Sequence, residues 1–325
     1  MFPVQASTGA GQVDALYIFL LVVAGIMTVG IFLCIAIFAI KYRRRDPDEI
    51  PRPIHGSIPV EITWSVIPFL VMLVMFAWGT RLYFENYTPP KDTLDVYVVG
   101  KQWMWKVQYP DGTREINELH VPVGSPVKLI LASEDVIHSF YIPAFRLKHD
   151  VVPGSYQTYW FQPTEPGRYH IFCAEYCGTN HSRMTGWVDV MDPASYQNWM
   201  NANAPADSME QRGAKLFAQY GCASCHVLQT TPSPALNNLF GHPVQLANGQ
   251  TVIVDESYLR TAILNPNVHP VRGYPPNVMP VFQDQINEEQ LLDLMVYLKS
   301  LSSNQSAAGV NPARPAPAGK AGAKP

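Results

Sequence analysis

Two long apolar runs near the N-terminus are the strongest pattern in this sequence of 325 residues. The first run, from Ala15 to Ile40, has no charged or strongly polar side chain, and the second, from Ile62 to Thr80, is also uncharged. Each is long enough to cross a hydrocarbon layer about 30 Å thick as a helix. A cleaved signal peptide would have a shorter apolar core with a basic residue before it. The pattern therefore predicts a transmembrane hairpin within residues 1–90, with helices at about 15–40 and 61–84.

The loop between the two apolar runs is basic. Its positive residues are Lys41, Arg43, Arg44, Arg45 and Arg52. Because short cytoplasmic loops are enriched in Lys and Arg, we expect this loop in the cytoplasm and both ends of the chain outside it.

Beyond Pro90 the pattern changes to short segments rich in β-branched and aromatic residues, separated by turn signals such as Asp111-Gly112. The segments are Leu94 to Val99, Val107 to Tyr109, Val127 to Ala132, Tyr156 to Phe161, Tyr169 to Phe172 and Trp187 to Val190. They predict an antiparallel sandwich or small barrel over residues 91–192, outside the membrane.

The rest of the chain is helical and polar. Residues 193–207 have the composition of a linker, and the unit at 208–301 opens and closes with predicted helices. Asn287 is the expected N-cap of the last helix, which should cross the first near Gly213, where a missing side chain permits close approach. A linker of this length would make the encounter between the two units intramolecular, with an effective concentration of about millimolar.

Composition narrows the classes of function. The net charge of −3 is small, and the only tract rich in Lys and Arg is at residues 41–45, so nothing favours a nucleic-acid partner. The five cysteines all fall into the apolar runs or the motifs below, which leaves no disulfide framework. Residues 302–325 are mostly Ser, Ala, Gly and Pro, and we expect them to be disordered.

A short segment of the β-rich unit concentrates soft metal donors. Two thiols, an imidazole and a thioether occur at Cys173, Cys177, His181 and Met184, and His138 lies upstream. Thiolate and thioether groups select copper, and imidazole suits it. The set is larger than one tetrahedral zinc ion can use. It therefore predicts two copper ions that share both cysteine sulfurs.

The C-terminal unit carries a second motif, Cys222-Ala223-Ser224-Cys225-His226, which is the attachment pattern of c-type haem. Two thiols form the thioether bonds, and the adjacent histidine supplies the proximal iron ligand. A redox dithiol or a zinc site is the alternative for such a short pattern.

Met279 is the candidate for the second axial ligand of that haem. It lies in a loop rich in Pro and Gly, where backbone restriction can hold a side chain over the porphyrin. A Met and His pair raises the reduction potential, as suits electron transfer. His242 and His269 are the competing ligands, although a histidine in a loop is more often unrelated to iron.

These parts together resemble subunit II of the haem-copper cytochrome c oxidases. The resemblance rests on the hairpin, on Gly100-Lys101-Gln102-Trp103-Met104-Trp105, and on the Cys-x-Glu-x-Cys-x3-His-x2-Met loop, and it covers residues 13 to about 301. The appended haem motif makes the chain similar to the fused, caa-type subunit. The resemblance implies a multidomain chain with a two-helix transmembrane hairpin, an all-β cupredoxin barrel and an all-α cytochrome c domain.

The resemblance also implies roles for individual residues. Cys173 and Cys177 would bridge the dinuclear copper A centre, with His138 and His181 as terminal ligands. Met184 would be a weak ligand to one copper, and the backbone carbonyl of Glu175 would serve the other. The Glu175 side chain would reach a magnesium ion at the contact with subunit I.

Two further residues match functional positions of the family. Trp103 corresponds to the position where electrons arrive from cytochrome c, although Met104 stands where the family usually has an aromatic residue. Glu61, at the start of the second span, resembles the glutamate at a proton-channel entrance of subunit I. An ordinary interfacial acid is the alternative for Glu61.

The function implied is electron transfer into a terminal respiratory oxidase of the bacterial plasma membrane. Electrons would pass from a donor through haem c and copper A to subunit I, which reduces oxygen and pumps protons, while this chain binds no oxygen. Subunits I and III and the lipid membrane are the expected partners, and the donor is cytochrome c or a quinol-oxidising complex. The N-terminus and both metal domains would lie on the periplasmic side. The alternative is the corresponding subunit of a copper A-containing nitric oxide reductase.

Overall fold

The structure, a computed structural model, describes residues 2–50, 53, 56–226 and 233–302. The chain divides into two units. One unit is Gly9–Thr88, and the other combines the residues up to Thr8 with the chain from Pro89 onward. The predicted disordered tail lies outside the described residues, apart from Ser302, and so does Arg52 of the basic loop.

The first unit is a helical hairpin. Helix α1 (Ala10–Lys41) and helix α2 (Ile58–Tyr87) contain windows with mean hydropathies of 2.9 and 2.1, which is long and apolar enough to cross a membrane. Helix α1 is five residues longer at its N-terminal end and one residue longer at its C-terminal end than the sequence predicts, and α2 is three residues longer at each end. The rings of Phe19 and Trp78 contact each other across the pair at 5.6 Å.

The second unit contains a β domain of two five-stranded sheets, with orders β3-β2-β1-β5-β8 and β4-β10-β9-β6-β7. Its strands are β1 (Leu94–Lys101), β2 (Met104–Gln108), β3 (Arg114–Ile116), β4 (Glu118–Pro122), β5 (Val127–Ser133), β6 (His138–Ile142), β7 (Leu147–Val151), β8 (Gln157–Phe161), β9 (Gly167–Cys173) and β10 (Thr185–Met191). Inward side chains of both sheets form one buried core.

The sequence predicts antiparallel strands, but each of the two sheets also contains one parallel pair. Strand β1 pairs with β5 in parallel, with the other-sheet strand β4 between them in the chain. Strand β4 pairs with β10 in parallel, with β5 and β8 of the other sheet between them. The six predicted strand segments all overlap strands. Four strands of the β domain were not predicted: β3, β4, β6 and β7. They are short and in part polar, and β7, for example, contains Lys148, His149 and Asp150.

The residues before α1 belong to the β domain, and not to the hairpin as the predicted boundaries have it. Ala6 donates its amide to the Ala144 carbonyl at 2.9 Å, and Ser7 forms a β-bridge with Pro163. Both Ala6 and Ser7 are buried. The short segment therefore completes the barrel from the opposite end of the sequence.

Much of the predicted linker is also ordered. Helix α3 (Pro193–Asn203) is capped by Asp192, whose side chain accepts hydrogen bonds from the amides of Ala194 and Ser195. Tyr196 is 1% exposed within the barrel core, and Trp199 stacks on His120 at 4.4 Å. These aromatic residues fix the helix to the β domain, a contact that the polar composition of the segment conceals.

The C-terminal domain is helical, with one small β-hairpin. Its elements are α4 (Met209–Gln219), α5 (Ala223–His226), β11 (Pro243–Gln245), β12 (Thr251–Ile253), α6 (Glu256–Leu264) and α7 (Glu288–Ser302). Helices α4 and α7 cross at Gly213, where an added Cβ would lie 2.1 Å from the Asp293 carbonyl oxygen. The Asn287 side chain accepts the Gln290 amide at 2.9 Å. The predicted crossing and N-cap are both present.

Candidate copper and haem centres

The copper loop, residues 174–184, is the connection of a β-hairpin. Strands β9 and β10 pair antiparallel on either side of it, and the Cys173 amide donates to the Met184 carbonyl at 3.1 Å. Within the loop, Gly178 has a φ of +116°, and its carbonyl accepts the His181 amide at 3.0 Å. The backbone therefore folds the loop back on itself and turns its donors to one place.

All six residues predicted to bind copper come together. The distances are 3.7 Å from Cys173 Sγ to Cys177 Sγ, 3.5 Å from Cys177 Sγ to His181 Nδ1, 3.8 Å from Cys177 Sγ to Met184 Sδ, 4.0 Å from Cys173 Sγ to His138 Nδ1, and 3.2 Å from Cys173 Sγ to the Glu175 carbonyl oxygen. Two sulfurs at the centre, with imidazoles and weaker donors around them, match the donor chemistry of a copper pair.

His138 comes from outside the loop and is held from two sides. It opens strand β6, next to β9, and is fully buried. Its Nε2 lies 2.8 Å from Asp135 Oδ1. On the other side, Gly100 packs so closely on the ring that an added Cβ would lie 2.9 Å from His138 Cδ2. Asp135 is not predicted from the sequence, although a carboxylate three residues before a ligand histidine could have indicated its role. Such a carboxylate fixes the ring and leaves Nδ1 for the metal.

The two thiols differ in acidity. Burial opposes ionisation of Cys173, but hydrogen bonds from His138 and from the Ser139 amide lower the pKa of its thiol below the ordinary value. Burial and the neighbouring charge of Cys173 raise the pKa of Cys177. The metal-free pair thus favours one thiolate and one thiol. Binding of two metal ions must displace the remaining proton.

Trp103 lies in the turn between β1 and β2, against the copper loop. Its indole Nε1 donates to the Cys177 carbonyl at 3.2 Å, and the Gln102 side-chain amide donates to the same oxygen at 2.7 Å. A half-buried indole is thereby joined to a central cysteine through one hydrogen bond. Gln102 is a contact that the sequence did not suggest. Trp105, in contrast, is buried in the barrel core.

The haem-attachment residues form a single helical turn after α4. The Cys225 and His226 amides donate to the Cys222 carbonyl at 3.2 and 3.0 Å, which brings both cysteines to one side of the turn. Cys222 packs against the core of the domain, and Cys225 is exposed. His226 Nδ1 lies 3.1 Å from the Pro234 carbonyl oxygen, so that Nε2 is left for iron. These residues fit a covalently attached haem.

Met279 is half-buried and packs against the same apolar cluster as Cys222. The two competing histidines have other contacts. His242 is exposed, with Nδ1 3.2 Å from the Phe240 carbonyl oxygen, and His269 stacks on the Tyr258 ring at 6.3 Å. Of these three residues, Met279 is the one that packs against the same apolar cluster as Cys222.

Two predicted side chains are not among these donors. The Glu175 side chain is exposed on the copper loop. Glu61 lies in the first turn of α2, and its carboxylate accepts the Ser57 amide at 3.2 Å, which satisfies the helix N-terminus.

An apolar hairpin, a β domain with converging soft donors and a helical domain with a haem-attachment turn define a membrane-anchored electron-transfer protein. Three family descriptions match the chain: the transmembrane domain of cytochrome c oxidase subunit II over residues 1–80, its periplasmic domain over 114–191, and cytochrome c over 210–302.

Cytochrome c oxidase subunit 2 of Alkalihalophilus pseudofirmus is 31% identical over 297 residues, which cover 86% of this chain and 84% of that protein. The Synechocystis sp. protein of the same name is 29% identical over 63% of this chain and 76% of its own length. The crystal structure of the periplasmic domain of subunit II from Bradyrhizobium japonicum is 29% identical over 36% of this chain and 96% of that structure, with a TM-score of 0.35.

The chain belongs to the cytochrome c oxidase subunit 2 family and carries a C-terminal cytochrome c domain. The resemblance seen in the sequence is confirmed, as are the two apolar helices, the cupredoxin-like β domain and the helical cytochrome domain. The chain is a two-pass membrane protein and the electron-transfer subunit of a haem-copper oxidase. Its two matched domains imply copper A and haem c as cofactors.

Proposed function

We propose that this chain receives electrons at its cytochrome domain and delivers them through its copper domain to subunit I of an oxidase that reduces oxygen and pumps protons. The donor would be cytochrome c or a quinol-oxidising complex, and subunit III would complete the assembly. The observation that carries this proposal is the convergence of six soft and carbonyl donors, each within 4.0 Å of a cysteine sulfur.

In the copper domain, Cys173 and Cys177 would bridge two copper ions, with His138 and His181 at the ends. Met184 and the Glu175 carbonyl would be the weaker ligands. When bound, the copper pair supplies a one-electron redox centre. The hairpin backbone and the Asp135 contact hold the donors in place, so that little rearrangement is needed when the charge changes.

In the cytochrome domain, Cys222 and Cys225 would attach haem c, with His226 and Met279 as axial ligands. When bound, the haem supplies a second one-electron centre. The Pro234 carbonyl would orient the His226 ring through Nδ1.

Three other assignments concern the surroundings of the copper domain. Trp103 would take electrons towards copper through its hydrogen bond to the Cys177 carbonyl. The exposed Glu175 side chain would bind magnesium at the contact with subunit I. Glu61 would lie at a proton-channel entrance, and its position in the first turn of α2 supports a place at the membrane surface.

We propose that the N-terminus and both metal domains lie on the periplasmic side of a bacterial inner membrane. The basic loop between the helices favours the cytoplasm. Packing of Ala6 and Ser7 on the β domain supports the same side for the N-terminus and the copper domain.

The test is the purified oxidase complex, supplied with a reduced cytochrome donor, with Cys177→Ser as the variant. We expect the natural complex to consume oxygen, with one haem c and two copper ions in this chain. The variant should lose copper A absorption and oxygen consumption but keep a reducible haem c. Cys34→Ser, in α1 and outside the donor set, is the matched control and should behave as the natural protein.

Consumption of nitric oxide in place of oxygen would support the nitric oxide reductase alternative. A single copper per chain in a fully loaded preparation would contradict the bridging role of the two cysteines.

A further inference from the structure

The outer face of the sheet β3-β2-β1-β5-β8 is apolar and buried. Alternate residues of β1 and β5 fill the barrel core, yet the residues that point the other way are also buried. Tyr97 and Val99 on β1 are 3% and 0% exposed, and Ile130 and Ala132 on β5 are 0% and 2% exposed. A sheet face turned to water would carry polar side chains at these positions. We name these four residues the docking face.

The cytochrome domain covers the docking face. The docking face and the cytochrome core form one cluster of buried residues, whose cytochrome members include Met209, Phe217, Leu291, Met295 and Leu298. Departure of the cytochrome domain would expose these apolar groups to water, which is unfavourable. The two domains are therefore packed together, unlike the tethered units that the linker composition predicts.

Ion pairs border the docking face near the copper loop. Lys106 Nζ lies 2.8 Å from Glu289 Oε1, and the Arg114 guanidinium lies 3.3 Å from both Glu289 and Asp293. Asp293 also binds Arg212 of α4 at 2.8 Å. Basic residues of the β domain thus face acidic residues of α7, and one carboxylate joins β3, α4 and α7.

Further pairs lie at the opposite end of the docking face. Lys299 Nζ is 3.6 Å from Asp95 Oδ2, and Lys128 Nζ is 3.7 Å from Glu256 Oε1. At the copper end, the Tyr156 hydroxyl donates to Glu288, in the first turn of α7. Charged contacts at both ends, with an apolar centre, specify one orientation of the cytochrome domain.

The order of these pairs gives the direction of α7 along β1. Glu289, in the first turn of α7, contacts Lys106, whose strand partner is Val99 near the end of β1. Lys299, in the last turn, contacts Asp95 at the beginning of β1. The end of β1 packs on His138 through Gly100. Helix α7 therefore begins at the end of the sheet that holds the copper ligands.

The haem-binding segments lie at the same end of α7. Tyr220, two residues before Cys222, donates to the Gln285 carbonyl at 3.2 Å, and its ring contacts Phe282 at 5.9 Å. Both partners lie between Met279 and the first turn of α7. The attachment turn and the Met279 loop are thus brought to the copper end of the docking face.

We infer that the docking face is the electron-transfer interface between the two domains, and that the cytochrome domain transfers electrons while docked there. The inference rests on the proposed function of both domains. It adds that the docked orientation is the productive one, held by the pairs around Glu289 and Asp293. Transfer between the domains then needs no release and renewed encounter of the cytochrome domain.

A zero-length cross-link can test this in the full, metal-loaded oxidase. A water-soluble carbodiimide joins a lysine amine to a contacting carboxylate as an amide, so Lys106 and Glu289 should become linked. Peptide mapping by mass spectrometry should identify the link. Reduction of the haem by a light pulse, followed at the copper absorption band, should give the same transfer rate before and after linking, and the rate should not change with added salt.

Two variants serve as controls. Glu289→Gln removes the linking carboxylate, so the mapped peptide should disappear after the same treatment, and any effect of the reagent elsewhere becomes visible. Glu210→Gln, at an exposed position of α4, should keep both the link and the rate. A charge reversal, Glu289→Lys, should slow transfer between the domains roughly tenfold, because it places one positive charge beside the two positive side chains of Lys106 and Arg114.

Linked protein with much slower transfer would overturn the inference, because the docked state would then be a resting state. Absence of the Lys106 to Glu289 link, in samples where Lys106 links to its other neighbour Glu134, would overturn it as well. Failure of transfer in untreated protein would contradict the proposed function instead, and the mapped link would still report the docking.

Discussion

The copper domain and the cytochrome domain gather their ligand side chains in different ways. In the copper domain, the hairpin loop and the adjacent strand β6 bring the donors into direct contact, within 4.0 Å of a cysteine sulfur. In the described part of the cytochrome domain, Cys222 and Met279 are widely separated in sequence and pack against the same apolar cluster. The copper donors are therefore held by one loop and an adjacent strand, whereas the haem-binding residues are held by the packing of distant segments.

The sharpest way to break this comparison is to remove the thioether bonds with Cys222→Ser and Cys225→Ser together. Complete loss of covalent haem is expected, with a large loss of cytochrome-domain stability, because haem would no longer be tied to the segment that Cys222 packs against the apolar cluster. The copper domain should keep its metal absorption. Haem staining on denaturing gels, copper absorption and thermal unfolding of the full chain check the three outcomes.

The corresponding treatment of the copper domain is removal of the metal with a chelator. The barrel should remain folded, since its core and loop hydrogen bonds involve no metal. Unfolding of the barrel on copper removal would show that both sites depend equally on their cofactors.

Gly213→Ala tests the cytochrome core without touching a haem ligand. The new Cβ would approach the Asp293 carbonyl oxygen to 2.1 Å, and backbone at a helix crossing cannot easily move away. We expect a loss of about 3 kcal/mol in the free energy of unfolding, at the upper end for overpacking. Chemical denaturation followed at the haem band measures it, with Ala218→Ser on the exposed side of α4 as the control. An unchanged midpoint would contradict the close crossing.

Asp135→Asn tests the support of a copper ligand, without changing a predicted ligand itself. The amide keeps the size of the carboxylate but weakens the contact with His138 Nε2, so the ring is held less firmly. We expect copper affinity to fall about tenfold, the lower end for loss of such a supporting group. Competition with a chelator of known affinity measures it. Equal affinity would mean that Gly100 and the strand alone position the ring.

The smallest expected difference is in the response to pH. Burial opposes the charge of Glu256, but Lys299 and Lys128 lower the pKa of its carboxyl below 4.5, so its stabilising contribution is lost as the pH falls through that lowered pKa. Burial also opposes the charge of His120, but Glu115 and Asp189 raise the pKa of its ring above 6.5, so its contribution is complete below pH 6.5 and lost as the pH rises.

Acidification towards pH 6 should therefore stabilise the β domain slightly, and stronger acid should weaken the docked cytochrome domain. Each effect should be within about 1 kcal/mol, because burial of Glu256 and His120 cancels much of the attraction to their partner charges. Thermal unfolding across pH measures both. Glu256→Gln should reduce the loss of stability in strong acid and leave the change near pH 6 intact. His120→Gln should remove the gain near pH 6 and leave the loss in strong acid intact. The reverse result would contradict the assignment of the two groups.

The donor residues could be predicted from sequence because their spacing is local. Cys173 ends strand β9, and Cys177, His181 and Met184 follow in the copper loop, while the haem cysteines lie in one helical turn. His138 could be included only through the completeness of the set and the family resemblance. Asp135 could have been proposed from the sequence, since it precedes His138 by three residues. Its role, however, depends on which nitrogen of the His138 ring faces the thiols.

The contacts that sequence did not predict are those between distant segments. Tyr97 and Ile130 were assigned to strands, yet nothing local indicates that both faces of their sheet are covered. Charges such as Lys106 and Glu289 are ordinary surface residues when considered singly. Helix α3 was missed for a related reason, because Tyr196 and Trp199 are apolar anchors within an otherwise polar segment.

The placement of the first residues has a consequence for how the chain is made. The Ser7 hydroxyl donates to the carbonyl of Phe145, a residue 138 positions later. The N-terminal segment of the barrel therefore cannot make this contact until Phe145 has been synthesised. Both membrane helices are synthesised in that interval. This contact can therefore form only after both membrane helices have been synthesised, so the N-terminal segment joins the barrel late in the synthesis of the chain.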